Sequence, residues 1–377
     1  MRKAQLRVTI ITPPINNAGV HPLSNLADIM SGLSDSVLII SGNIGLRPLK
    51  KNNSSVEVSN IQYSVGVNSF IKILKHIYLQ LRISYTLIKF SKKADVLIYF
   101  LDSHAYLIPV LTGRLLRKKI IFLLAASISG SSKSKSSFFT KVSIFSESIN
   151  FKLADNIVVY SPVLIEKWDL QKYAYKILIA HEHFLFPDKF RIKINLNDRP
   201  PVIGYIGRLS GEKGVEMFIR SLPTIISSQD NDFHVLIGGD GPMRDEIDNY
   251  LKKQNLLNRV DITGWISHDN LPDYMNRLRL LVIPSYSEGL PNIMLEAMAC
   301  GTPVLATPVG AIPDIIKDGE TGFIMKNNTP ECIAENINRV LKDSNLEKIA
   351  INAKKFIEKD FTFESAVMRW KTILEDI

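Results

Sequence analysis

The segment 285–307, SYSEGLPNIMLEAMACGTPVLAT, sets two carboxylates, Glu288 and Glu296, eight positions apart in apolar surroundings. Pro291 suits the first turn of a helix, Gly301 suits its end, and Pro303 prevents continuation. Glu288 then falls in the loop leaving a strand, and Glu296 lies about one and a half turns into the helix. An unpaired carboxylate buried there is costly. Hydroxyl donors remove the cost, and a ribose offers two side by side while a sugar ring offers several. A structural arginine or contact with water would serve equally well, and the segment alone does not choose.

A second stretch, GRLSGEKG (207–214), follows a strand and opens a helix. Gly207, Gly211 and Gly214 permit a tight turn and a close backbone approach. The helix start adds free N–H groups and a positive dipole end, and Arg208 and Lys213 add two full charges. Together these make a phosphate cradle, although the spacing is not the Gly, four residues, Gly-Lys-Ser/Thr pattern of a P-loop. GGDGPM (238–243) is another strand-to-helix turn, with Gly239 and Gly241 able to aim backbone amides and Pro242 in the first helical turn. Taken singly, both stretches are also compatible with plain surface turns.

The elements that hold these residues are legible in the second half. Short β-branched runs at 202–207, 233–239, 259–265, 278–285, 302–307 and 321–325 alternate with helical patterns at 214–227, 241–254, 271–277, 291–300 and 330–342. Strand following helix in this way predicts a doubly wound parallel sheet. The first half repeats the theme with LRVTIIT, SVLIIS, DVLIYFL, KKIIFLL and DNIVVYS. The fold class is therefore α/β, with two Rossmann-like domains facing a central cleft. The stretch 183–200 reads as their junction, and a final helix follows a break near residue 361, crossing back to the first domain. The expected domains are 1–190 with 362–377, and 191–361.

The chain has 377 residues, 46% hydrophobic and 22% charged, which excludes a disordered chain and fits two domains. Cys300 and Cys332 make no disulfide framework and suggest a reducing compartment. The start, MRKAQLRVTIITPP, reads as a first strand rather than a signal peptide. The longest apolar candidate, 96–116, is broken by Asp102, His104, Pro109 and Arg114, so no membrane span is expected. Residues 1–195 carry 26 Lys/Arg against 11 Asp/Glu, a charge of +15, and the rest carries 20 against 26, or −6, giving the chain its +9. The basic half could meet an anionic membrane surface, a phosphorylated lipid or another polyanion, or the charge could serve solubility alone. Within it, SFIKILKHIYLQLRISYTLIKFSKK (69–93) has a helical apolar stripe at 70, 73, 74, 77, 81 and 88, six cations and no acid. It is either a sheet-covering helix with a basic face or a helix lying on a membrane.

YIGRLSGEKG, IGGDGP and SYSEGLPNIMLEAMACGTPVLAT together resemble the group 1 glycosyltransferases, also called family 4, of the two-Rossmann GT-B fold. The order and spacing of all three match, from about 200 to 340, and Glu288 and Glu296 stand where that family has its Glu, seven residues, Glu pattern. The resemblance implies retaining, metal-independent transfer of a hexose-type sugar from a UDP- or GDP-linked donor to a glycan or lipid-linked acceptor, in cell-surface polysaccharide or glycoconjugate synthesis. It implies Arg208 and Lys213 on the diphosphate, Glu296 on the ribose and Glu288 near the donor sugar. Gly207, Gly239 and Gly241 would line the phosphates, the backbone of Gly289, Leu290 and Pro291 would flank sugar and phosphates, and Ile266 would edge the base. In the first half, the acceptor side, TPPINNAG nominates Gly19 and DVLIYFLDSHAYL nominates His104, with Asp102 beside it. Two departures stand out: LLAAS where the family often has Thr-X-His, and AHEHFLF where it often has Asn-Gly-Val-Asp. No cofactor, metal or nucleic acid is expected; His181 and His183 have no third ligand, and the Asp-Asn-Asp at 230–232 reads as a turn. The implied location is cytoplasmic, with attachment to the inner face of the membrane an open option. Two rivals remain, a nucleotide-sugar epimerase of the same fold and a non-catalytic nucleotide-sugar-binding subunit.

Overall fold

The computed structural model describes residues 6–15, 17–42, 56–63, 69–125, 138–227 and 233–375. The 130–137 segment and the Asp-Asn-Asp at 230–232 lie outside these residues. The chain divides into two compact units, Met1–Phe184 with Phe363–Ile377, and Leu185–Thr362.

The first unit holds β1 (Arg7–Ile11), β2 (Ser36–Gly42), β3 (Val56–Ile61), β4 (Val96–Phe100), β5 (Lys119–Leu124), β6 (Asn156–Val159) and β7 (Ile177–Ile179). They form one parallel sheet in the order β3-β2-β1-β4-β5-β6-β7. The central strands are buried on both faces, as in the all-buried VLIYF of β4, because crossover helices cover both sides of a parallel sheet. The sequence reading named five strands here. The two it did not name, β3 and β7, are the edges, where VEVSNI is polar and half exposed and ILI is only three residues long. An edge strand needs no continuous apolar run, so composition marks it poorly.

The second unit holds β8 (Val202–Ile206), β9 (His234–Gly238), β10 (Val260–Gly264), β11 (Leu280–Ile283), β12 (Val304–Ala306) and β13 (Phe323–Ile324). Their order is β10-β9-β8-β11-β12-β13, again all parallel. All six runs expected from the sequence are present. A helix at Leu346–Asp360 is added to the expected set. Pro242 lies before its helix, which starts at Arg244, rather than in the first turn. Both units are doubly wound α/β sheets, as the patterning predicts. No helix among the described residues is long and apolar enough to cross a membrane.

The helix Phe363–Glu375 belongs to the first unit. Trp370 is fully buried and its Nε1 donates to the His181 carbonyl at 3.2 Å, while the Phe363 and Phe184 rings meet edge to face at 5.1 Å. Beside this seam the Tyr160 hydroxyl donates to Glu182 Oε1 at 2.8 Å, and His181 and His183 pack 5.5 Å apart. Burial raises the Glu182 carboxyl to about 8 from an ordinary 4.5 and pushes the His181 imidazole well below its ordinary 6.5. The folded chain thus keeps a proton on Glu182 that the unfolded chain releases, so stability declines as pH rises from about 4.5 and levels off above about 8. On the acid side, His181 is neutral when folded and charges when unfolded, so stability also falls as pH drops below 6.5. Melting curves from pH 5 to 9 should show this decline on the alkaline side. Glu182→Gln, which keeps an acceptor for Tyr160, should flatten it; an unchanged slope would place the titration elsewhere.

Candidate functional site

The residues singled out in the second half converge at the carboxyl ends of β8, β9 and β11. β8 runs into 207–214, whose last residue, Gly214, sits at φ +68° before the helix Val215–Ser227. A Cβ there would stand 1.9 Å from the Pro284 carbonyl oxygen. Gly239, at φ +125°, comes as close to the Gly207 carbonyl oxygen. Only glycine accepts both the dihedral and the approach at these two turns. The loops then bond to each other through backbone. Gly207 N donates to Gly238 O at 2.9 Å, Leu209 N to Asp240 O at 3.0 Å, Met243 N to Leu209 O at 3.0 Å and Tyr286 N to Glu212 O at 2.9 Å. Gly241 packs against the Leu209 backbone.

On this scaffold Lys213 Nζ lies 2.8 Å from both Glu288 oxygens, and the Ser285 hydroxyl donates to Glu288 Oε1 at 2.7 Å. An ammonium has three N–H donors, and Glu288 takes two of them. Arg208 is mostly exposed, with Glu212 3.8 Å away, a pair too solvated to hold it firmly. Ser210 donates to Glu212 at 2.7 Å and, as the first cause, holds that carboxyl below its ordinary range.

The helix Asn292–Ala299 has Pro291 as its N-cap, and Gly301 follows its end at φ +64°. Its first-turn N–H groups follow Gly289, Leu290 and Pro291, and Gly289 O accepts from Ala311 N at 2.7 Å. Glu296 is 3% exposed. Its partner is a histidine rather than an arginine: His268 Nε2 lies 2.9 Å from Glu296 Oε1. A lysine ammonium only donates, and Lys189 Nζ is 2.9 Å from His268 Nδ1. Nδ1 is therefore the acceptor, and Nε2–H donates to Glu296. The burial of this acid is met inside the protein, and a guest's hydroxyl groups are not required to explain it.

The sequence reading stopped at Ile266 in TGWISHDN and missed His268 two residues on. The signal was a histidine in the loop after an edge strand, but its proximity to Glu296 arises only from the packing of Leu271–Arg277 beside Asn292–Ala299. Ile266 itself is half buried, with its Cδ1 over Gly238, which leaves its backbone as the group at the loop edge. Arg199 was missed too. It is buried and donates to the carbonyls of Met275 at 3.2 Å, Leu278 at 3.0 Å and Cys300 at 2.7 Å and to Thr302 Oγ1 at 2.8 Å. Burial lowers its guanidinium to about 10 and, close by, raises the Cys300 thiol to about 12.

In the first unit, Gly19 lies in the first turn of the helix Asn17–Leu33, against Ile15. His104 sits in the turn Leu101–Ala105 after β4, 1% exposed, its Nε2 3.2 Å from Glu147 Oε2, while Asp102 is exposed. The structure thus gathers Arg208, Lys213, Glu288 and Glu296 with their glycine turns on one unit. It places Gly19 and His104 in the other, where His104 faces an internal carboxylate.

Two doubly wound parallel sheets of seven and six strands define the GT-B class of architecture. HepE of Anabaena, solved with UDP, superposes with a TM-score of 0.77 at 18% identity, covering 98% of this chain and 100% of that one. Residues 187–356, a little under half of the chain, match the family described as Glycosyl transferases group 1. The alpha-D-kanosaminyltransferase of Streptomyces kanamyceticus is 36% identical over 167 residues, 44% of this chain and 42% of the relative. The capsular polysaccharide biosynthesis glycosyltransferase CapM of Staphylococcus aureus is 34% identical over 165 residues, 43% and 42%. The chain spans less than half the length of these curated relatives.

The glycine turns make a direct prediction. Gly214→Ala should destabilise the second unit by about 1–3 kcal/mol, from strain and the clash with Pro284. Gly211→Ala, three residues earlier with nothing within 4 Å of the added carbon, should change it by less than about 0.5 kcal/mol. Urea unfolding of both variants reads the difference; equal effects would mean that the turn is not locked.

Proposed function

We propose that this chain is a glycosyltransferase that moves a sugar from a nucleoside-diphosphate donor to a hydroxyl acceptor. The observation that carries the reading is the Lys213–Glu288 pair: a lysine at a helix start, oriented by a loop carboxylate through two 2.8 Å contacts, in a segment that matches the family. Arg208 on the same turn and the start of Asn292–Ala299 supply further positive charge nearby.

In the reaction, the acceptor oxygen forms a bond to the sugar's anomeric carbon as the bond from that carbon to the diphosphate oxygen breaks. The electron pair leaves with the diphosphate, whose negative charge grows. Arg208 and the third N–H of Lys213 meet that charge, which we take as the largest catalytic contribution. Glu288 acts by aiming Lys213 and bordering the sugar rather than as a nucleophile. Glu296, held by His268 through Oε1, offers Oε2 to a ribose hydroxyl. The backbone at Gly207, Gly239, Gly241, Gly289, Leu290 and Pro291 lines the donor, and that of Ile266 edges the base. Transfer on the same face, with the acceptor proton passing to a donor phosphate oxygen, gives retention. The acceptor is a glycan or lipid-linked glycan, consistent with the polysaccharide role in the name of CapM. Two cations at the diphosphate take the part a divalent ion would otherwise play.

Thermal shifts with UDP, GDP and their sugars identify the donor. Turnover on that donor with glycan and lipid-linked acceptors then follows nucleotide release. Arg208→Ala and Lys213→Ala should each lower kcat/KM about 10²–10³-fold. Glu296→Ala should act mainly on the donor KM, and a chelator should leave the rate unchanged. Wild-type rates in the three variants would refute the site. Loss of activity with chelator would refute metal independence, and epimerised donor without an acceptor would assign an isomerase.

A further inference from the structure

The helix Ser69–Lys89 packs Leu79, Ile83 and Leu87 inward. Its other apolar residues do not follow. Ile71, Leu74, Tyr78, Leu81, Tyr85 and Ile88 are all exposed, with Leu81 at 52%, Tyr85 at 64% and Ile88 at 57%. Their spacings of three, four, three, four and three residues keep them within about 100° of arc on the outer face. Single exposed apolar side chains are ordinary, but a continuous stripe over five turns is not. The stripe seen in the sequence is therefore split. Leu74, Ile77, Leu81 and Ile88 belong to the solvent side, so the helix has two apolar faces and only one of them covers the sheet.

Charge identifies what fits the second face. Lys75, Arg82 and Lys89 recur at seven-residue spacing and form a row along one border of the stripe, with Arg82 and Lys89 exposed. The helix contains no acidic residue. Its neighbours continue the pattern. Leu107–Leu115, packed against it, has exposed Leu111 and Leu115 and no acid. Phe138–Leu153, which shares a groove with it through Ile77 and Val142, exposes Phe145. The only acid in these three helices, Glu147, is buried beside His104. An apolar stripe with a cationic border and no acidic residue complements a surface that is anionic at the level of the border and apolar beneath.

We infer that this face of the first unit lies on an anionic lipid bilayer, with the stripe set among the acyl chains near the interface and Arg82 and Lys89 at the phosphate level. A second copy of this chain would bring the same cations together across the apolar strip, which like-charge repulsion opposes. The inference is independent of the donor site, which lies in the other unit.

The test is flotation with vesicles of phosphatidylcholine alone or mixed with phosphatidylglycerol. The full chain should float with the mixed vesicles, at least about tenfold more than with phosphatidylcholine, and release as salt rises. Leu74→Glu/Leu81→Glu/Ile88→Glu should abolish flotation and Arg82→Glu/Lys89→Glu should reduce it severalfold. Melting temperature should stay at the wild-type value in both, as should any thermal shift that UDP or GDP produces in the wild type, since all five side chains are exposed. No flotation at low salt would overturn the inference. So would a triple variant that floats like the wild type, or one that loses flotation only because a dimer seen by sedimentation has dissociated.

Discussion

A parallel sheet sends every strand out at the same edge, so the loops that leave it must satisfy one another's backbone groups in a small space. In the second unit this requirement governs everything near the candidate site. The turn after β8 bonds to the turn after β9, that turn bonds to the end of β10, and the loop after β11 returns to Glu212. Each bond requires two main chains in near contact, and Gly214 and Gly239 are what allow it. Because buried backbone groups must be paired, the loops form one interlocked layer rather than independent segments. The charged side chains of Arg208, Lys213 and Glu288 are carried on that layer, and Lys213 and Glu288 are further held to each other by two 2.8 Å contacts.

Arg199 performs the equivalent task for the helix that carries Glu296. A buried guanidinium ordinarily calls for a carboxylate. Here its partners are carbonyls where two helices end, Met275 in the last turn of one with Leu278 just after it and Cys300 after the other, together with the Thr302 hydroxyl. Helix ends carry partial negative charge, so two of them facing one cation compensate it without an acid. The same contacts fix Leu271–Arg277 against Asn292–Ala299. That packing brings His268, at the start of one helix, to Glu296, in the middle of the other.

The strand pattern of the second half was legible because each buried strand carries a β-branched run bounded by glycine or proline. The edge strands β3 and β7 were not, since half-exposed strands obey weaker composition rules. Arg208, Lys213, Glu288 and Glu296 stood out because acids and bases near glycine turns are conspicuous in apolar sequence. Arg199 and His268 did not. Arg199 reads as a linker residue before two prolines, and His268 as a polar loop residue, and only tertiary packing gives either a role. The outward stripe on Ser69–Lys89 was seen as one face. Periodicity marks apolar positions but cannot say which of two adjacent arcs meets the sheet.

The chemistry of Glu296 follows from how its cost is distributed. A carboxylate 3% exposed could have been stabilised by a full cation, as Glu288 is by Lys213. Instead it accepts from an imidazole whose other nitrogen is occupied by Lys189. A single imidazole N–H engages one carboxylate oxygen, whereas an arginine fork would have engaged both. The two glutamates are thus made different by their partners: Glu288 is bound to a full cation, and Glu296 accepts from an imidazole. The hydroxyl-binding role proposed for Glu296 needs an acceptor of that kind, held in place but not neutralised.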